Sequence, residues 1–206
     1  GTDAIIVCGT TGEAATMTAA ERSHTIDAVV SQVNGRVPVI AGTGGNCTAT
    51  AIEQSKAAEA AGVDGLLVVT PYYNKATQRG LVRHYQAIAD AVTKPVILYN
   101  VPSRTGVKCA AETYAALSAH PNIVGVKEAS GDFALIQRTR ELCPEDFYIW
   151  SGNDDDTAAI MLQGGVGVIS VVANVMPEAM CRMTHACLRG DFVTGSRLQQ
   201  ELRKLC

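Results

Sequence analysis

The chain has 206 residues, 47% hydrophobic and 18% charged, with a formal net charge of −3. That is enough chain for one sizeable core, and it is too apolar to stay disordered. With no basic stripe, and no apolar run near the roughly 18 residues of a membrane span, the sequence argues against nucleic acid and membranes as partners.

The chain opens on GTDAIIVCGTTGE, which has no basic leader and no small-residue cleavage pattern and does not read as a signal peptide. Its core, DAIIVCG (3–9), is the first predicted strand, followed by a helix over AAERSHTIDAVVSQV. The strand VPVIAGT (37–43) leads into the helix TATAIEQSKAAEAAG, and VDGLLVVT (63–70) into LVRHYQAIADAV. Then come PVILYNV (95–101), IVGVKEA (123–129) and FYIWSG (147–152), the helix DTAAIMLQGG, the strand VGVISV (166–171) and a helical stretch, GSRLQQELRKLC. The strand interiors are continuously apolar, as in parallel strands covered on both faces. Alternating strand and helix, at about 30 residues per unit, predicts an α/β fold of right-handed βαβ units. No linker or low-complexity segment divides the chain, so residues 1–206 read as a single domain.

Polar residues collect at the C-terminal ends of the strands, the edge where α/β barrels and open α/β sheets bind ligands. Seven predicted strands are one short of a (β/α)₈ barrel. The expectation is a barrel lacking its first β/α unit and its C-terminal helices. Seven cysteines (Cys8, Cys47, Cys109, Cys143, Cys181, Cys187 and Cys206) form an odd count without CxxC spacing. They are expected to be reduced and packed as small hydrophobes, which points to a cytoplasmic setting. The four histidines, His24, His84, His120 and His185, have no ligand spacing, so no metal site is expected.

Lys127 ends an apolar strand, IVGVK. A lysine projecting into a dry barrel interior loses hydration of its charged form, its pKa falls, and the neutral amine can form a Schiff base with a ketone. A lysine snorkelling at a strand end, or paired with Glu128, is the competing reading. Tyr99 ends the neighbouring strand, where a phenol could relay protons during imine formation; a half-buried aromatic with a satisfied hydroxyl is the alternative. The turn that follows, PSRTG, would hold Arg104 above the barrel mouth, where its planar fork suits a carboxylate, unless it is simply solvated. GTTGE (9–13) is a Gly-flanked turn whose amides and hydroxyls could cradle a carboxylate. GTGG (42–45) lacks the full dinucleotide-binding pattern. The acidic run Asp154 to Asp156 reads as a cap for the helix after it.

Taken together, GTTGE (9–13), TPYYNK (70–75), YNVPSRTG (99–106), GVKEASGD (125–132) and GVISVVANV (167–175), in that order and spacing, resemble the dihydrodipicolinate synthase family of pyruvate-dependent class I aldolases and lyases. The resemblance covers essentially the whole chain. It implies a (β/α)₈ TIM barrel and a homo-oligomer, dimer or tetramer. It also implies condensation of pyruvate with L-aspartate 4-semialdehyde, giving 4-hydroxy-tetrahydrodipicolinate on the route to diaminopimelate and lysine. No cofactor is implied, because a covalent imine with pyruvate is the electron sink. By resemblance, Lys127 is the Schiff-base lysine and Tyr99 the proton donor and acceptor. Thr10 and Tyr73 are its relay partners, Tyr73 reaching across a subunit interface. Thr11, Gly152 and the carbonyl of Ile169 meet pyruvate, and Arg104 meets the carboxylate of the second substrate.

N-acetylneuraminate lyase and 2-keto-3-deoxy sugar acid aldolases would share Lys127 and Tyr99, but GTTGE and Arg104 favour the synthase. A non-catalytic barrel fragment is the reading from a different class. In lysine-sensitive relatives an allosteric cleft would match Ala15, Ala19, Arg22, Asn46, Thr50 and Tyr72. Asn46 and Tyr72 fit that pattern, whereas Ala19 and Arg22 replace histidines and Thr50 replaces a glutamate. Unless Glu53 substitutes for that glutamate, weak or lost inhibition by lysine is expected.

Overall fold

The computed structural model describes all 206 residues. Seven parallel strands form one sheet in sequence order: β1 (Ile5–Val7), β2 (Val39–Gly42), β3 (Gly65–Val69), β4 (Val96–Asn100), β5 (Ile123–Glu128), β6 (Tyr148–Ser151) and β7 (Gly167–Val168). Each falls within the segment expected from the sequence. The helices are α1 (Ala19–Val33), α2 (Thr48–Ala60), α3 (Gln78–Ala89), α4 (Pro102–Thr105), α5 (Ala111–Ser118), α6 (Phe133–Leu142), α7 (Thr157–Leu162), α8 (Pro177–Leu188) and α9 (Phe192–Leu202).

Local chemistry sets the boundaries. Thr18 and Glu21 close a reciprocal capping box at the start of α1, with Thr18 N–H donating to Glu21 Oε2 at 2.8 Å. Asn34, left-handed at φ 48°, ends that helix ahead of Gly35. Thr77 and Asp132 cap α3 and α6 by accepting from the amides of Gly80 and Leu135.

The sheet is buried on both faces, which is why its strands read as unbroken apolar runs. The outer face joins the helices in the main core, which includes Leu66, Leu98, Val126 and Ile149 with Tyr85, Tyr114 and Leu117. The inner face forms a second cluster: Leu67, Ile97, Tyr99, Val101 and Ala129, packed with Ile6, Ile40, Val69, Val124, Trp150 and Ile169. Residues from β1 through the end of β7 meet in this one cluster only because the sheet curls on itself. β1 pairs only with β2, and β7 only with β6, so the curled sheet has two open edges. Near the open side the N-terminus lies on α8, where Cys181 Sγ donates to the Gly1 carbonyl at 2.7 Å.

Two sequence expectations need correction. All seven cysteines are free, but only Cys8, Cys109, Cys143 and Cys187 are buried; Cys47 and Cys206 are exposed and Cys181 is half-buried. The apolar character of a thiol did not decide those three positions, because they lie at the start of a helix, on an outer helix face and at the last residue. Asp154 to Asp156 form a short 3₁₀ turn with no side-chain cap to α7. Asp154 instead turns inward, accepting from Ser170 Oγ and from the amides of Val171 and Val172 at 2.9 and 3.1 Å. Three donors beyond β7 outcompete one helix terminus for the carboxylate.

Candidate active site

Lys127 owes its orientation to an irregularity in β5. Ile123 belongs to the outer core, and strict alternation would also place Lys127, four residues on, outside. The pairing with β4 slips between Val96↔Ile123 and Ile97↔Gly125, so Val124 is an extra residue in β5. The slip inverts the phase of the strand. Tyr99 now pairs with Lys127 on the inner face, and Asn100 with Glu128 on the outer. Gly125 allows this, because a Cβ there would stand 2.1 Å from the Tyr148 carbonyl oxygen.

The lysine is 7% exposed, and its Nζ lies 4.5 Å from the centroid of the Tyr99 ring. No carboxylate lies within 4 Å of it, which removes the reading of a pair with Glu128. Burial pulls its pKa from 10.5 to about 8; the charge of Asp154 raises it and that of Arg104 lowers it. Gly152 makes room for the side chain: a Cβ there would meet Ala129 Cβ at 2.6 Å and Lys127 Cε at 3.1 Å. Trp150, paired with Lys127 across β5 and β6, adds an aromatic wall.

Tyr99 is buried, which pushes its phenol up; the polar Thr10 side chain nearby and the charge of Arg104 pull it back. Thr10, Tyr99 and Arg104 line a cavity of about 310 Å³ together with Gly44, Leu67 and Thr105. Lys127 is not part of that wall; it reaches the site from β5, over the tyrosine ring. Arg104 sits in α4, whose Pro102 occupies the first turn, and it makes no salt bridge within the chain. The guanidinium is thus free at the cavity. In the turn after β1, the amides of Thr10, Thr11 and Gly12 donate to no protein acceptor, and of the three residues Thr10 lines the cavity. Thr11 itself is exposed, and Ile169, half-buried, is tied to β6 by its amide, which donates to the Ser151 carbonyl at 2.9 Å.

Tyr73 stands apart. It is 87% exposed, left-handed at φ 75°, and does not line the cavity. Its amide donates to the Thr105 carbonyl at 3.3 Å, which ties its loop to the Arg104 turn. The residues matched to an allosteric cleft divide. Ala15, Arg22 and Tyr72 line the same cavity as Tyr99, while Asn46 and Thr50 are exposed outside it.

Sequence reasoning missed Trp150, the inward turn of Asp154 and the network around Glu128. Glu128 is 2% exposed and accepts from Asn100 Nδ2 at 3.0 and 3.1 Å, from Tyr114 Oη at 2.7 Å and from Ser130 N–H at 2.9 Å. Adjacent charges in a buried parallel strand were the available signal, since residues next to each other face opposite sides.

The model of the dihydrodipicolinate synthetase family matches residues 1–206. The chain belongs to this family. The 4-hydroxy-tetrahydrodipicolinate synthase of Thermoanaerobacter sp. (strain X514) is 54% identical over 206 residues, all of this chain and 69% of that relative. Among solved structures, the dihydrodipicolinate synthase of Aquifex aeolicus superposes with a TM-score of 0.98 at 44% identity, covering all of this chain and 70% of the other. The chloride-inhibited enzyme of Acinetobacter baumannii, in complex with pyruvate, superposes at 0.97 with 43% identity, again over all of this chain and 70% of the other.

Proposed function

We propose that the chain is a 4-hydroxy-tetrahydrodipicolinate synthase, condensing pyruvate with L-aspartate 4-semialdehyde in lysine and diaminopimelate biosynthesis. Similarity to a synthase over the whole of this chain and 69% of that relative supports the reaction class. The observation that carries the site assignment is a buried lysine without an anionic partner, its amine 4.5 Å from the ring centre of Tyr99.

The neutral amine of Lys127 adds to the keto carbon of pyruvate, while the free amides of the GTTGE turn and Thr11 hold the carboxylate. Tyr99, relayed by Thr10, protonates the carbinolamine oxygen, water leaves, and an iminium forms. Loss of a proton from the pyruvate methyl gives an enamine. Its carbon bonds to the aldehyde carbon of the semialdehyde, whose oxygen takes a proton and whose carboxylate meets Arg104. The semialdehyde amine then attacks the imine carbon, closing the ring and expelling Lys127 as the free amine. The scheme needs no metal or organic cofactor, because the iminium draws off the electrons. Gly152 and the Ile169 carbonyl complete the pyruvate contacts.

The same reading takes residues 1–206 as one barrel domain whose family fold is a (β/α)₈ barrel. The curled sheet has two open edges, and the chain spans about 69% of the length of its synthase relative. The exposed, left-handed Tyr73 suits a residue completed by a second subunit in a dimer or tetramer. No helix is long and apolar enough to cross a membrane. Borohydride with pyruvate tests the site: one reduced adduct is expected on the peptide containing Lys127. An adduct on Lys75 or Lys108 would overturn the assignment.

A further inference from the structure

We propose that Glu128 is a positioning residue for the Lys127–Tyr99 pair, holding β5 in its shifted register through a clamp on Asn100. The proposal rests on the assignment of Lys127 and Tyr99 as the reacting pair. The extra residue Val124 gives β5 one residue of slack against β4. Taking up that slack would pair Tyr99 with Val126 and turn Lys127 to the outer face, because a one-residue slip reverses every side chain. Asn100↔Glu128 is the pair directly after Tyr99↔Lys127, on the opposite face of the same two strands.

There the Asn100 amide donates to both carboxylate oxygens, at 3.0 and 3.1 Å. Each end is anchored separately. Asn100 Oδ1 accepts from Cys109 N–H at 3.2 Å, and Glu128 accepts from Tyr114 on α5 and from Ser130 beyond β5. A buried carboxylate with this many donors is costly to rearrange, since any slip strands several of them. In the slipped register the Asn100 amide would face Lys127 instead of Glu128. The clamp therefore penalises the one register in which the lysine leaves the barrel interior.

Glu128→Gln tests this, because its amide sets an N–H₂ group against that of Asn100. The double variant Asn100→Asp with Glu128→Gln restores a carboxylate–amide pair across the strands. Its carboxylate, now on β4, is in place to accept from Cys109 N–H and from the new amide on β5. Two quantities are followed: the rate of pyruvate trapping by borohydride at Lys127, and the pH midpoint of Lys127 acetylation by acetic anhydride.

In Glu128→Gln, trapping should slow by about thirtyfold or more, the cost of a displaced reacting group. The acetylation midpoint should fall further below its parent value near 8, because the outer face onto which the lysine turns is buried in the helix layer and the variant leaves no carboxylate there. The pyruvate concentration for half-maximal trapping should change less than about threefold, as expected for a lost transition-state alignment. The double variant should recover both quantities to near the parent.

Tyr85→Phe, which removes an equally buried hydroxyl bonded to the Val68 carbonyl, should lower the melting temperature and leave the midpoint unmoved. A Glu128→Gln protein with the parent's rate and midpoint overturns the proposal. If that variant does not fold, the double variant decides, and its failure to fold or to recover overturns it. A parent that forms no adduct would instead refute the functional reading, while the acetylation midpoint still reads the positioning.

Discussion

Lys127 and Glu128 are neighbours in one strand, both buried, and handled in opposite ways. Glu128 faces the helix layer and is met by Asn100, Tyr114 and Ser130, so that burial pushes its pKa up while three partners pull it back. Lys127 faces the barrel interior with an aromatic ring beneath it and no anion within 4 Å. One charge is satisfied and holds structure. The other is left poorly solvated, and the energy withheld from it appears as nucleophilicity. A strand with alternating faces can do both within one residue step.

Removing the unsatisfied charge should have the largest effect. Lys127→Met is expected to lose turnover by a factor on the order of 10⁴ or more, as for other nucleophile deletions. It should also stabilise the fold. A pKa moved from 10.5 down to about 8, at about 1.4 kcal/mol per pH unit, corresponds to about 3 kcal/mol. The sign follows from proton binding. Between pH 8 and 10.5 the unfolded chain binds more protons at this site than the native one, so parent stability rises with pH across that window. Below it the cost of burying the charge is fully present. The advantage of Lys127→Met in denaturant unfolding should thus be greatest near neutral pH and vanish by about pH 10.5. An advantage independent of pH would show that packing, not charge, sets it.

Tyr99→Phe keeps the ring under Lys127 and removes only the hydroxyl. Turnover should fall by about 10²–10³ through loss of proton relay, with pyruvate affinity little changed. Single-turnover rates against pH sharpen this. The parent rate of imine formation should climb with the neutral-amine fraction, reaching half its plateau near pH 8, and Tyr99→Phe should keep that midpoint at a lower plateau.

Smaller losses are expected from the glycines that make the arrangement possible. Gly152→Ala would set a methyl against Ala129 and Lys127 Cε. Overpacking of this kind costs about 1–3 kcal/mol, and a displaced lysine should slow turnover by about 10–100-fold. Melting curves and kcat separate the two. A drop in melting temperature with unchanged kcat would mean that the lysine tolerates the shift.

The same strand marks how far the sequence could be read. Continuous apolar runs alternating with helical stretches gave all seven strands, because a parallel sheet covered on both faces leaves that signature whatever its curvature. Lys127 and Tyr99 were legible because each is polar where the pattern calls for an apolar strand end, and Arg104 because it stands in the turn that follows one. The side Lys127 faces was not legible, since counting from Ile123 by twos points it outward and the inserted Val124 is invisible to composition. Asp154 was misassigned for a related reason. A local cap competes with donors from residues 170–172, and only the fold brings those near.

The contrast between a partnered and an unpartnered charge also bears on feedback by free lysine, where the smallest effect is expected. The ligand's ammonium would need an anion, and Thr50, at the position matched to the pairing acid, is an exposed hydroxyl on α2. Arg22 brings a like charge to the cavity shared with Ala15 and Tyr72, its Nη2 bound to the Gly42 carbonyl at 2.6 Å. Desolvating an ammonium without a partner costs several kcal/mol before relaxation, and about 3 kcal/mol already weakens binding more than a hundredfold. Initial rates across a lysine titration should therefore stay flat into the millimolar range. Thr50→Glu should bring sensitivity back by at least about tenfold if the missing anion is the cause. Half-inhibition of the parent below millimolar lysine would instead show that another carboxylate, with Glu53 one turn along α2 the first to test, supplies the charge.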